Sequence, residues 1–237
     1  MRRIAIITYM VLLISSAITC TADEQAWQWP EKLTIAGFNI TDIKGTTRPD
    51  GSGSATGTLS LGSLGSQSIS LGRSSKEVIT GSISLSANSA GADIQAKLVL
   101  DENGLAGKGT IKSSPKLIAD ASMSVTGAGV ISGSGRVALG GLSVPVDFEI
   151  GRSFNVNGSV NVGKQVDTPL ALYAFSGSLD LRGDSGKILV FANGKVQRTG
   201  KVANQTSVES VSDAAVNPSD GQAIINVGGV NVTFKFF

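Results

Sequence analysis

Apolar residues occupy every second position through much of residues 126–163, and this alternation constrains the fold more than any other feature. The segment reads TGAGVISGSGRVALGGLSVPVDFEIGRSFNVNGSVNVG. Its clearest run is Leu142, Val144, Val146, Phe148 and Ile150, with Ser, Pro, Asp and Glu between. A period of two places neighbouring side chains on opposite faces of a strand. The segment therefore predicts antiparallel strands with one buried face and one face in water.

Similar alternating segments, separated by turn residues, recur along the rest of the chain. Asn103-Gly104, Asn193-Gly194 and Gly228-Gly229 each predict a tight hairpin turn. Pro145 lacks a backbone donor, which favours an edge position or a bulge inside its strand. The chain is therefore predicted to be all-β: an antiparallel meander of about 14 strands closed as a barrel, a sandwich or a curled sheet.

At most one short helix is predicted, at about residues 206–216. Thr206 and Glu209 fit a capping box, and Asn217-Pro218 would end the helix. Three apolar residues lie between at helical spacing: Val208, Val211 and Ala215. Residues 170–181 are apolar on both faces at their start, so a cover is expected over the Tyr173 side, either this helix or the N-terminal tryptophans.

The N-terminus has the features of a signal peptide. Met1-Arg2-Arg3 is a positive n-region, and residues 4–14 form an apolar core too short to be a typical membrane span. Cleavage after Ala22 would leave Asp23 as the new N-terminus. The prediction is a signal peptide at 1–22 and a single all-β domain at 23–237. The mature chain is then extracytoplasmic: periplasmic, associated with the outer membrane or secreted.

Cys20, the only cysteine, lies at this boundary. One interpretation is a bacterial lipoprotein in which Cys20 carries the lipid. Ala17 and Thr19 match the usual lipoprotein pattern poorly, so ordinary cleavage is favoured. In both cases the mature chain has no intramolecular disulfide, and its stability must come from packing and backbone pairing.

Trp27 and Trp29 are the only tryptophans. Spaced by two, they face the same way in an extended segment. They are predicted to form a lid packed over one end of the core. The alternative is an interface, in which the pair anchors a partner or a membrane surface.

The composition excludes several function classes. Removal of Arg2 and Arg3 with the leader leaves 18 Lys and Arg residues against 18 Asp and Glu, without a basic stripe, so no nucleic-acid partner is predicted. The chain has no histidine, which removes histidine-based nucleophilic triads and the usual zinc sites. The glycine runs lack the spacing of a dinucleotide fingerprint. No cofactor and no metal site are predicted.

The best candidate for catalysis is the carboxylate pair Asp147 and Glu149, on the polar face of one predicted strand. Glycosidases use two carboxylates about 5–10 Å apart, which this spacing allows. The favoured interpretation is a pair of solvated surface charges, since Arg136 and Arg152 are near enough in sequence to pair with them across strands.

We therefore expect an exported, non-catalytic β-protein of the cell envelope or surface with a binding or structural role. Its apolar face either encloses a filled core or holds a lipid or other hydrophobic ligand. One alternative is an outer-membrane β-barrel acting as a pore or anchor, although only one tyrosine and two tryptophans follow residue 22 to form aromatic girdles. A second alternative is an exported carbohydrate-active enzyme. Possible partners are lipid or another envelope component, with membrane association only through Cys20 or as a barrel, and the oligomeric state stays open.

Overall fold

The structure, a computed structural model, describes residues 27–237. It contains one short 3-10 turn (Gly62–Leu64) and the following strands, in chain order: β1 (Leu33–Ile35), β2 (Phe38–Thr47), β3 (Gly53–Ser60), β4 (Ser66–Arg73), β5 (Ile79–Ser89), β6 (Ala92–Asp101), β7 (Gly104–Lys112), β8 (Leu117–Val125), β9 (Ile131–Leu139), β10 (Leu142–Ile150), β11 (Phe154–Asp167), β12 (Ala171–Asp184), β13 (Lys187–Gly200), β14 (Thr206–Val216), β15 (Gln222–Val227) and β16 (Val230–Lys235).

Strands β1 to β14 form one antiparallel sheet in which every strand pairs with its neighbours in the chain. Strands β15 and β16 form a separate hairpin. The prediction of an all-β antiparallel meander is confirmed. The sheet is not closed as a barrel, because its first and last strands, β1 and β14, are not paired with each other. Of the three predicted arrangements, the curled sheet describes the molecule best.

The alternation seen in the sequence decides which face of the sheet is buried. Val144, Val146, Phe148 and Ile150 are at most 4% exposed, while the residues between them on β10 are exposed. Strand β6 shows the same pattern over its whole length. These residues belong to one continuous hydrophobic cluster that draws on both sheets. We call the buried side of the main sheet the inner face and the opposite side the outer face.

The main sheet coils. As a result, turns at one end of the strands contact turns at the other end, five strands further along the chain. The β3–β4 connection contacts the β8–β9 turn, the end of β5 contacts the β10–β11 turn, and the β7–β8 connection contacts the β12–β13 turn. The hydrogen bonds run from Ser63 N to the Ala128 carbonyl (3.2 Å), from Ser89 Oγ to the Gly151 carbonyl (3.2 Å) and from Ser114 N to the Gly186 carbonyl (3.1 Å). This regular offset encloses the inner face.

Bulges and closely packed glycines accompany the coiling. Asp42, Asp120 and Asp213 have positive φ values, and each lies where the pairing register shifts. They belong to β2, β8 and β14, which are six strands apart, and bulges bend a strand and increase its twist. At Gly107 a Cβ atom would overlap the backbone carbonyl oxygen of Lys97 on the next strand. Only glycine permits so close an approach of two strands.

The C-terminal hairpin covers part of the inner face. Phe234 on β16 and Phe236, just after that strand, pack against Phe175 on β12, with ring centroids 6.0 and 5.0 Å away. All three side chains are at most 2% exposed. The expected cover on this side of β12 therefore exists, but it is a β-hairpin rather than a helix or the tryptophans.

The helix predicted at about 206–216 is wrong, because these residues form strand β14 and pair with β13 from Thr206 to Val216. Glu209, the predicted capping residue, lies opposite Val196. A lone 11-residue helix is marginal in water. The backbone donors and acceptors along β13 offer this segment a better set of partners, and its Thr and Val residues suit a strand. Within residues 27–237 no helix is long and apolar enough to cross a membrane.

The turn predictions have mixed outcomes. The hairpins at Asn103-Gly104 and Gly228-Gly229 are confirmed, although the first turn is formed by Glu102 and Asn103, one residue earlier than predicted. The turn at Asn193-Gly194 is wrong, because both residues lie inside β13 next to its register shift with β14. The edge position of Pro145 is confirmed: pairing of β10 with β11 ends at Val146, so Pro145 pairs only with β9.

Candidate functional site

Trp27 and Trp29 lie near the turns that follow β2 and β4. Their ring centroids are 4.8 Å apart in an edge-to-face arrangement. Trp29 Nε1 donates a hydrogen bond to the Thr46 carbonyl (3.2 Å), and the Arg73 guanidinium lies 4.4 Å from the Trp27 ring centroid. Arg73 is itself buried, and it also pairs with Glu77 at 3.2 Å. Both half-buried indoles therefore make contacts within the chain.

Asp147 and Glu149 are both exposed on the outer face of β10. Asp147 lies between Ser134 and Asn157 on the neighbouring strands, and Glu149 lies between a serine and an asparagine in the same way. Within residues 27–237 the ion pairs include neither carboxylate, so the expected pairing with Arg136 and Arg152 is not formed. Arg136 instead contacts Ser143 Oγ at 3.4 Å. Cys20 and the predicted signal peptide lie outside the described residues.

The outer face carries a long groove that the sequence analysis did not predict. Its largest part, over β5 to β8, has a volume of about 730 Å³. This part shares Asp120 and Ser122 with a second depression of about 440 Å³, which in turn shares the 157–159 segment with a third of about 410 Å³. We call the three together the outer groove. Asp147 lines its middle part, whereas Glu149 is not among the lining residues, so the two carboxylates do not share a cleft.

The register of the sheet explains why a row of polar side chains follows the outer groove. One row of directly opposed residues crosses eight strands from β5 to β12, and every member is exposed: Ser84, Lys97, Lys108, Ser122, Ser134, Asp147, Asn157 and Arg182. With neighbouring strands about 4.8 Å apart, this row spans about 34 Å along the sheet. The row supplies cations, hydroxyls, an amide and a carboxylate.

At the β12 end of the groove the charged side chains form hydrogen bonds and an ion pair within the chain. Asp180 accepts hydrogen bonds from Ser159 Oγ and Asn193 Nδ2, each at 2.7 Å. Arg182 pairs with Asp213 at 2.7 Å, and the Asp213 backbone N donates to Asn193 Oδ1 at 2.6 Å. The hydrogen bonds of the Asn193 side chain to Asp180 and Asp213 stabilise Asn193 inside strand β13.

These contacts also set the pKa of Asp180. Partial burial raises the pKa, but hydrogen bonds from Ser159, Ser178 and Asn193, with the nearby charge of Arg182, outweigh it. The net effect lowers the pKa of Asp180 below its ordinary value, because the hydrogen bonds favour the ionised carboxylate.

At β6 and β7, by contrast, the groove is lined by two lysines. Lys97 and Lys108 lie directly opposite each other on neighbouring strands. Neither belongs to any ion pair that the structure forms within residues 27–237. Four residues along β6, Asp93 lies opposite Lys112, so one end of this strand pair combines opposite charges and its middle combines like charges.

The side chains of the groove can pair with charges and can donate and accept hydrogen bonds. Within residues 27–237 no three His, Cys, Asp or Glu side chains are grouped so as to hold a metal ion. Asp120 and Asp147 both line the middle part of the groove together with serine hydroxyls, and the chain has no histidine. Sequence reasoning missed this site because each strand contributes only one or two ordinary polar residues, and only the pairing register brings them together.

Fold and groove together define a coiled, all-β antiparallel meander with an apolar interior and a transverse groove. Comparison of the chain with protein-family models, with curated proteins and with solved structures finds no match.

Proposed function

We propose that this protein is an exported, non-catalytic component of the cell envelope or surface, and that it binds its partner through the outer groove. The observation that carries the proposal is the difference between the two faces of the sheet. The inner face is filled by a continuous hydrophobic cluster, whereas the outer face carries a groove with exposed polar side chains from eight strands.

The packing of the interior favours a filled core over a bound lipid. Phe234 and Phe236 of the C-terminal hairpin pack against Phe175, so the chain's own side chains fill this part of the interior. Side chains from both halves of the sheet are in the same cluster. A partner that contacts the outer groove meets hydroxyls and charges, and such a partner is polar.

The proposed location outside the cytoplasm depends on the leader. A positive n-region followed by an apolar stretch of residues 4–14 is typical of a secretory signal, and the proposed cleavage follows Ala22. The lack of an intramolecular disulfide in the mature chain is compatible with export, since the large core provides stability without one.

Expression of the full chain in a bacterial host tests this proposal. Cell fractionation is expected to place the protein outside the cytoplasm, and intact mass is expected to show a chain starting at Asp23. Extraction without detergent is expected to be complete. The Cys20→Ser variant is a matched control, because it leaves the mature mass and the fraction unchanged if cleavage follows Ala22.

Other results would contradict the proposal in identifiable ways. A mature chain starting at Cys20 with the added mass of lipid, released from membranes in the Cys20→Ser variant, would establish a lipoprotein. A strict need for detergent in both proteins would favour the outer-membrane β-barrel. Lipid that co-purifies in stoichiometric amount would return the binding site to the inner face.

A further inference from the structure

We propose that the Lys97–Lys108 part of the outer groove binds a carboxylate of an acidic polysaccharide, that is, a chain of sugars that carry carboxylate groups. This inference rests on the proposed use of the outer groove for binding, and it adds the chemical class of the ligand and the residues that recognise its charge.

The first step is the position of the two lysines. Directly opposed residues on antiparallel strands have Cβ atoms about 4.5–5.5 Å apart, and like charges there destabilise the pair. Lys97 and Lys108 are so placed, on the exposed outer face, without an acidic partner in the ion pairs of residues 27–237. An anion between the two ammonium groups removes this repulsion and gains two charge-assisted hydrogen bonds.

The second step is the set of neutral groups around the lysines. Ser84 and Ser122 flank them in the same row of the sheet. Gln95 and Thr110 form the next outer-face pair, two residues along β6 and β7, and line the same depression. These side chains both donate and accept hydrogen bonds. They complement hydroxyl groups on either side of a bound carboxylate, which is how a sugar acid distributes its polar groups.

The third step distinguishes a sugar acid from a more highly charged ligand. Asp120 lines the same depression as the two lysines, and Asp147 lines the next. Their carboxylates repel a polyphosphate, whose charges are close together, but they accept hydrogen bonds from sugar hydroxyls. A ligand with separated carboxylates and many hydroxyls meets both requirements.

The fourth step is the length of the groove. The row of outer-face residues continues from the lysines for five more strands, past Ser134 and Asn157 to Arg182. A span of about 34 Å exceeds what a single small anion needs and suits an extended polymer. Arg136, which lines the middle part, provides a further cation along this path.

Titration calorimetry with a purified hexagalacturonate tests the proposal. Each substitution removes one charge-assisted hydrogen bond, so Lys97→Gln and Lys108→Gln are each expected to weaken binding at least about tenfold, and the double variant about a hundredfold. Lys235→Gln on the exposed side of β16 is the matched control and is expected to bind like the unchanged protein. Binding is also expected to weaken strongly as salt is raised from about 0.01 to about 1 M, because the screening length falls from about 30 Å to about 3 Å.

Two further ligands complete the experiment. Neutral maltohexaose is expected to bind at least about tenfold more weakly than hexagalacturonate, because it lacks the charge that the lysines pair with. Inorganic phosphate is also expected to bind at least about tenfold more weakly than hexagalacturonate, because it reaches none of the flanking hydroxyls beyond the lysine pair. The melting temperature of the double variant is expected to be unchanged or slightly higher, since the substitution removes like-charge repulsion.

Each contrary result has a distinct meaning. Equal affinity of the unchanged protein and the double variant for hexagalacturonate overturns the role of the lysines. Equal affinity for phosphate and hexagalacturonate overturns the polysaccharide as ligand. Absence of hexagalacturonate binding overturns the whole inference, but it leaves the proposed export and water-facing location to be judged by fractionation.

Discussion

The face assignment leads to a sharp prediction at two neighbouring positions of β10: Val146→Asp is severely destabilising and Asp147→Ser is nearly silent. Val146 is 3% exposed. Its cross-strand neighbours are Gly135 on β9 and Gly158 on β11, and its Cγ1 methyl group fills the space above Gly158. A carboxylate introduced there therefore finds no side-chain donor on either neighbouring strand.

The magnitude follows from two contributions. Loss of the buried valine costs about 2 kcal/mol of unfolding free energy. A carboxyl buried without a partner has its pKa raised by about three units, which costs about 4 kcal/mol at neutral pH. The total of about 6 kcal/mol is comparable with the whole stability of an ordinary domain. Asp147 is exposed and unpaired, so Asp147→Ser is expected to change the unfolding free energy by less than about 0.5 kcal/mol.

Urea unfolding followed by circular dichroism measures both variants. If the slope is about 3 kcal/mol per molar urea, Val146→Asp lowers the midpoint by about 2 M, and Asp147→Ser leaves it within about 0.2 M. The raised pKa of the introduced carboxyl adds a second signature: the deficit of Val146→Asp shrinks as the pH falls toward about 4, because protonation removes the cost of the buried charge. Equal midpoints for the two variants would refute the assignment of faces.

Three further variants probe other parts of the structure. Asp180→Asn is expected to be less stable than the unchanged protein at pH 7. The urea midpoints of the two proteins should converge as the pH falls below about 4, because the lowered pKa of Asp180 stabilises the fold only while the carboxylate is ionised. A difference that stays constant with pH would contradict this. Gly107→Ala is expected to cost about 1–3 kcal/mol, since its Cβ overlaps a neighbouring backbone carbonyl, whereas Ala106→Ser on the outer face should leave the melting temperature nearly unchanged; comparable melting temperatures would argue against the close approach. Phe236→Ala is expected to cost about 3–5 kcal/mol and to reduce the near-ultraviolet dichroism of the aromatic cluster, while Lys235→Ala should do neither; a stable Phe236→Ala variant would mean that the hairpin does not cover the core.

The clearest failures of sequence reasoning occurred where a local signal competed with strand pairing. Thr206 and Glu209 have the spacing of a helix cap, yet the segment pairs with β13 because that strand otherwise has an unpaired edge. Asn193-Gly194 has the composition of a tight turn, yet Asn193 bonds to Asp180 and to the backbone of Asp213 inside a continuous strand. In both cases, contacts with distant residues outweighed the local preference.

The candidate site could be predicted only in its ingredients. Asp147 was recognised as an exposed polar residue, and its exposure is confirmed. Its neighbours in the groove, such as Asp120 and Asn157, are distant in sequence and become neighbours through the register of successive hairpins. The opposition of Lys97 and Lys108 depends on the position of a single turn, since a shift of one residue would move one lysine to the inner face.

The sequence by itself determined that the chain forms strands and which side chains are buried, because a period of two separates apolar from polar residues whatever the strands pair with. The tertiary structure decided how the meander coils, what covers β12 and which outer residues meet in one groove. These features depend on contacts between turns five strands apart, on bulges at Asp42, Asp120 and Asp213, and on the docking of the C-terminal hairpin. Such contacts join residues far apart in the chain, and a local pattern carries no information about them.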